Sequence, residues 1–123
     1  MSAADVDSYL ARLPTDQAST LQDLRRAITA YLPDYIECLC YAMPGFRQPG
    51  PKGKMVIGYA AFTRNLGLYP HSGTVIPTLA ADCTGFKTSK SGVLFSPARP
   101  IPLPLLHKII DARRTELATK GQP

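Results

Sequence analysis

Residues 55–62 read MVIGYAAF, a near-continuous apolar run, and LGLYP follows after only Thr63, Arg64 and Asn65. A run of that length and character fits a central strand. Three connecting residues are too few for a crossover, so Leu66–Tyr69 must return beside it antiparallel. Whatever else the chain forms, it must build around this hairpin.

The flanks supply the other layer. Val6, Tyr9, Leu10 and Leu13 recur at helical spacing until Pro14, and Thr15 is placed to cap a second helix with Asp16 in its first turn. Leu21, Leu24, Ala27, Ile28, Tyr31 and Leu32 then form one stripe, which Pro33 stops. Ile36–Met43 has no helical stripe and carries strand-forming residues, and Gly92–Phe95 reads as a further strand. Val75–Ala81 suits a short helix with Pro77 in its first turn. After the proline-paced connector SPARPIPLP, Pro104 opens a helix through Leu105, Leu106, Ile109, Ile110, Arg113 and Leu117 to Lys120, with Gly121 as its stop. The pattern predicts an α+β fold, with N-terminal helices and a C-terminal helix packed on an antiparallel sheet. It predicts one domain, residues 1–123.

Composition narrows the setting. No apolar run approaches the roughly 20 residues of a membrane span, and MSAADVDSYLARL lacks the layout of a signal peptide. The expected compartment is the cytoplasm. There the three cysteines, Cys38, Cys40 and Cys83, stay reduced. The net charge of +5 is uneven: residues 1–46 carry six acidic and three basic side chains, residues 47–123 three acidic and eleven basic. The second part could present an anion surface or a solvated basic face. No Lys/Arg run of five or more supports nucleic-acid binding.

Motifs for chemistry are sparse. On a strand running through Ile36–Met43, Cys38 and Cys40 share one face and Tyr41 and Met43 the other. The thiol pair could hold a soft metal or sit in the core, and neither His71 nor His107 lies in a ligand-spaced motif. Tyr41 and Met43, leading into Pro44-Gly45-Phe46, suit a pocket rim or a core edge. Gly85–Gly92, with Lys87 and Lys90 among hydroxyls, could cradle an anion or form a polar turn, but it is not a Walker loop. There is no Gly-x-Ser-x-Gly elbow, and spacing assigns no partner to His71 as a base. Asp16 and Asp23 fall seven apart on one helix and so on roughly one face, as a metal pair or a solvated surface would.

Five segments in order carry a resemblance: VDSYLARLP, PDYIECLCYAMPGF, AAFTRNLGLYP, GFKTSKSGVLFS and PIPLPLLHKIIDARR. Together, over residues 5–117, they resemble the bacterial YdhG-like domain of unknown function, some members of which are described as frataxin-like intracellular iron chaperones. The resemblance implies a small α+β fold of helices on an antiparallel sheet. It implies a Tyr-x-Met-Pro-x-Phe/Tyr signature at Tyr41, Met43, Pro44 and Phe46, and an aromatic hairpin at Phe62 and Tyr69. It also implies a Lys-Thr-Ser-Lys turn carrying Lys87, Ser89 and Lys90, and an aromatic strand residue at Phe95. These residues are expected to gather around one cleft on the sheet, suited to a small anionic ligand. The chain departs from the family where Cys40 replaces a common Ser, and where RQPGPKGK is unusually proline-rich.

Three functional readings follow. In the first, a non-enzymatic domain uses the aromatic/lysine cleft to bind a small anionic ligand or an acidic peptide. In the second, an iron-binding chaperone holds iron through Asp16, Asp23 and Glu37, because hard cations want oxygen donors. In the third, a small enzyme uses Lys87, Lys90, Tyr41 or His71. No cofactor is expected beyond the iron of the second reading, and no membrane partner in any of them.

Overall fold

A computed structural model describes residues 3–120. Its elements follow as α1 (Ala3–Ala11), α2 (Thr15–Tyr31), β1 (Ile36–Cys40), β2 (Met43–Arg47), β3 (Met55–Ala61), β4 (Leu66–Tyr69), α3 (Val75–Thr78), β5 (Lys87–Thr88), β6 (Val93–Phe95) and α4 (Leu103–Lys120). The strands form one six-stranded sheet in the order β1-β2-β3-β4-β6-β5, every pair antiparallel. The expected α+β architecture is present, and the 55–69 hairpin supplies its two central strands. Gly121, expected to stop the last helix, lies outside the described residues. No helix among them is long and apolar enough to cross a membrane.

Three local expectations need correction. Thr15 is the first residue of α2, and Pro14 holds the cap position without a side-chain bond. Asp16 instead accepts the Gln17 N–H at 2.8 Å. The helical piece after Gly73 is shorter than predicted, ending at Thr78, and turns carry the chain on to Cys83.

The third correction has the largest consequence. Ile36–Met43 is not one strand. It folds back at Tyr41-Ala42, both with positive φ (54° and 62°), so that Cys40 pairs with Met43. A two-residue turn of this left-handed kind matches the twist of its strands. The usual signal is Asn-Gly, and Tyr-Ala carries none of it. The β2–β3 ladder then begins at Gly45↔Gly58, one residue past Pro44, which has no N–H to give.

Paired residues of a sheet share a face, so the register sorts the side chains. Phe46, Ile57, Tyr59, Leu66, Leu68, Val93 and Phe95 point to one side, where they form the core with Val6 of α1, Leu21 and Ile28 of α2, Ile76 of α3, and Leu106 and Ile109 of α4. All four helices of the described residues feed this one core. The opposite face carries Cys38, Cys40, Met43, Gly45, Met55, Gly58, Ala60, Gly67 and Tyr69, none of them in the cluster packed under the helices, though Cys38 and Ala60 are buried. Glycines and alanine keep that face low, and no helix of the described residues lies on it. Cys38 is buried at 7% exposure, yet on this open face rather than among the helices, whereas Cys83 is in the core.

Candidate functional site

A cavity lies where the proline-paced connector meets the start of α4. It is an open groove of about 510 Å³, lined by Phe86, Arg99, Pro100, Pro102, Leu105 and Lys108, among others. That volume falls in the range of small-ligand sites. A second depression of about 190 Å³ adjoins it and shares Phe86 and Arg99, adding Lys87 and the edge of Phe95.

Local structure places the shared wall. Ser96 and Arg99 close a tight turn, with Arg99 N–H donating to the Ser96 carbonyl at 3.0 Å and to its Oγ at 3.1 Å. The turn aims the Arg99 guanidinium across the Phe86 ring, with Cζ 4.9 Å from the ring centroid. Gly85 precedes Phe86 at φ 94°, a conformation side chains rarely adopt, and a Cβ there would also strike the guanidinium. Fixed φ values at Pro97, Pro100, Pro102 and Pro104 limit how far this wall can relax.

Charge is mixed but leaves two cations available. Lys108 pairs with Asp82 at 2.6 Å, both of them on the wall of the larger groove. Arg99 and Lys87 have no carboxylate partner among the described residues. A guanidinium held over an aromatic ring face keeps N–H donors free for a carboxylate or phosphate.

The ligand residues expected from sequence are spread over the molecule. Lys87 and Phe95 meet at the smaller depression. Tyr41 sits at the tip of the β1–β2 hairpin, 87% exposed, and Phe62 in the β3–β4 turn at the same end of the sheet, 46% exposed. Met43 and Pro44 follow Tyr41 into β2. Phe46 is buried in the core. Tyr69 ends β4 at the other end of the sheet, beside the β5–β6 turn that holds Ser89 and Lys90. The ten do not share a cleft, because successive antiparallel strands send alternate turns to opposite ends.

The proposed metal ligands are also apart. Both Glu37 oxygens accept from Arg25, Nε to Oε2 and Nη2 to Oε1, each at 2.7 Å. Asp23 pairs with Arg26 on the solvent side of α2. Among the described residues no group of three His, Cys, Asp or Glu side chains is placed to hold a metal ion. His107 stacks on Tyr31 with ring centroids 3.8 Å apart. His71 takes a positive φ of 56° and lies over Gly58, whose Cβ would come 2.9 Å from Nε2. Burial, and then the charge of Arg113, lowers its pKa below the ordinary 6.5.

Arg99 and Lys108 were not among the residues expected at a site, and Phe86 entered only as part of the Gly85–Gly92 stretch, without a role of its own. The available signal was a lone arginine inside a rigid proline segment, and a Gly-Phe pair ahead of Lys87.

No protein-family model matches the chain, and no curated protein matches it. Among solved structures it is similar to a Bacillus subtilis protein of the DUF1801 family, YdhG, with a TM-score of 0.82 and 18% identity over 91% of this chain and 90% of that one. The chain has the YdhG-like fold. At that identity the likeness concerns the fold alone.

Proposed function

We propose that this YdhG-like domain is a non-enzymatic binding protein whose Phe86–Arg99 groove takes a small amphipathic anion. The observation that carries the reading is the Arg99 guanidinium, held over Phe86 between two adjoining depressions and free of any carboxylate among the described residues. An apolar body would lie along Phe86, Pro100 and Leu105, with its carboxylate or phosphate on Arg99 and Lys87. Asp82 on the wall of the larger groove favours a ligand whose charge sits at the Arg99 and Lys87 end.

A thermal-shift panel of small carboxylates, phosphates and an acidic peptide tests this, with ferrous iron in an anaerobic arm. Ligand at about 100 times its Kd adds roughly 2.7 kcal/mol to the native state and raises the midpoint accordingly. The rise should disappear in Arg99→Ala and persist in Lys90→Ala, at the opposite end of the sheet. A rise retained in Arg99→Ala defeats the reading. A rise with iron alone, lost when Asp16, Asp23 and Glu37 become amides, replaces it with iron carriage.

A further inference from the structure

The open sheet face gathers sulfur. Cys38 and Cys40 alternate on β1, Met43 stands directly opposite Cys40, and Met55 reaches across Gly45 to place its Sδ 3.7 Å from Cys38 Sγ. Gly45 permits this approach, since a Cβ there would sit 2.5 Å from Met55 Cε. Two thiols and two thioethers therefore occupy neighbouring positions on one face. From this cluster we infer a binding site for a soft monovalent cation, Cu(I), on the Cys38/Met55 pair, with Cys40 and Met43 completing its shell.

The spacing suits that role. Sulfur binds a four-coordinate metal at about 2.3 Å, so two sulfurs of one tetrahedral shell stand about 3.8 Å apart. The Cys38–Met55 distance of 3.7 Å meets this without rearrangement. Donor chemistry selects the ion. Thiolate and thioether together favour Cu(I), whereas iron as a hard cation wants oxygen. A disulfide is the other fate open to the two cysteines. However, residues two apart on a strand have Cα atoms about 6.6 Å apart, at the upper limit for a bridge. Entry is open, because no helix of the described residues covers this face and Cys40, Met43 and Met55 are only half-buried. On binding, metal–sulfur bonds replace the S–H bonds of Cys38 and Cys40, and both protons go to solvent. The site is separate from the Phe86–Arg99 groove and stands whether or not that groove binds an anion.

The test is anaerobic titration with Cu(I) against a chromogenic Cu(I) chelator, with Ag(I) as a redox-inert copy and native mass spectrometry for stoichiometry. One ion per chain is expected, with an all-sulfur shell in X-ray absorption. Met55→Leu keeps the volume and so the fold. It should weaken binding by at least about tenfold, since even outer-shell partners of a metal are worth about 10- to 100-fold. Cys38→Ser should weaken it further, and Cys83→Ala, in the core, should leave it unchanged. Failure to compete with the chelator overturns the proposal. So does equal affinity in wild type and Met55→Leu, which would put the ion on the thiols alone, and so does loss of binding in Cys83→Ala.

Discussion

Arg25→Met should cost the fold a large share of its stability. Arg25 donates twice to Glu37 at 2.7 Å and once to Asp7 at 2.6 Å, tying α2 to β1 and α1. Arg25 and Glu37 are each 13% exposed, whereas Asp7 is 65% exposed. The Asp7 contact is therefore worth under about 1 kcal/mol. The Glu37 pair is different. Its hydrogen bonds hold the Arg25 guanidinium further above its already high pKa. Without Arg25 the carboxylate is left nearly dry beside a helical layer. Breaking a fully buried pair costs about 3–5 kcal/mol. Residual exposure brings the figure here to about 2–4 kcal/mol, against a total stability on the order of 5–15 kcal/mol. Arg25→Met/Glu37→Leu removes both charges and should return to within about 1 kcal/mol of wild type. Urea midpoints at unchanged slope measure both variants. A single-variant cost under about 1 kcal/mol, or a double variant as unstable as the sum of its singles, would refute the reasoning. It would also free Glu37 as a metal ligand.

Two further outcomes are expected. Tyr41→Asn/Ala42→Gly should stabilise the protein: left-handed backbone costs an L-residue about 1–2 kcal/mol and glycine's extra unfolded freedom returns about 0.4–1 kcal/mol. A net gain of about 0.5–1 kcal/mol at Ala42 should appear in thermal melts, and a lowered midpoint would show that the turn is not built as described. The second concerns pH. His71 binds its proton less readily folded than unfolded, so its contribution is complete above the ordinary 6.5 and is lost as pH falls through the folded value. Urea midpoints should therefore fall as the pH is lowered past 6.5, and His71→Asn, which tolerates the positive φ, should flatten that slope. An unchanged slope in the variant would assign the pH dependence to another group.

Much of the fold was legible because it rests on repetition. The stripes of α2 and α4 recur at helical spacing, and MVIGYAAF–TRN–LGLYP declares a hairpin by the shortness of its connection. The groove was not legible for the opposite reason. Phe86 and Arg99 are separated in sequence by the whole β5–β6 hairpin, and only the Ser96–Arg99 turn swings one over the other. Lys87 could be read as a candidate because it sits in a recognisable turn sequence, whereas a lone arginine in a proline segment has no periodicity to mark it.

One turn decides the chemistry of the open face. Along an uninterrupted strand, Met43 lies three residues from Cys40 and so faces away from both cysteines. Folding back at Tyr41-Ala42 lays Met43 opposite Cys40 and returns it to their side. The same reversal puts Gly45 opposite Cys38, leaving the gap through which Met55 reaches the thiol. Nothing in CLCYAMPG advertises this, because neither Tyr41 nor Ala42 is a residue that favours positive φ. The two cysteines therefore share one sheet face with both methionines, Cys38 buried and Cys40 half-buried, and the cause is backbone geometry at two residues that carry no sulfur.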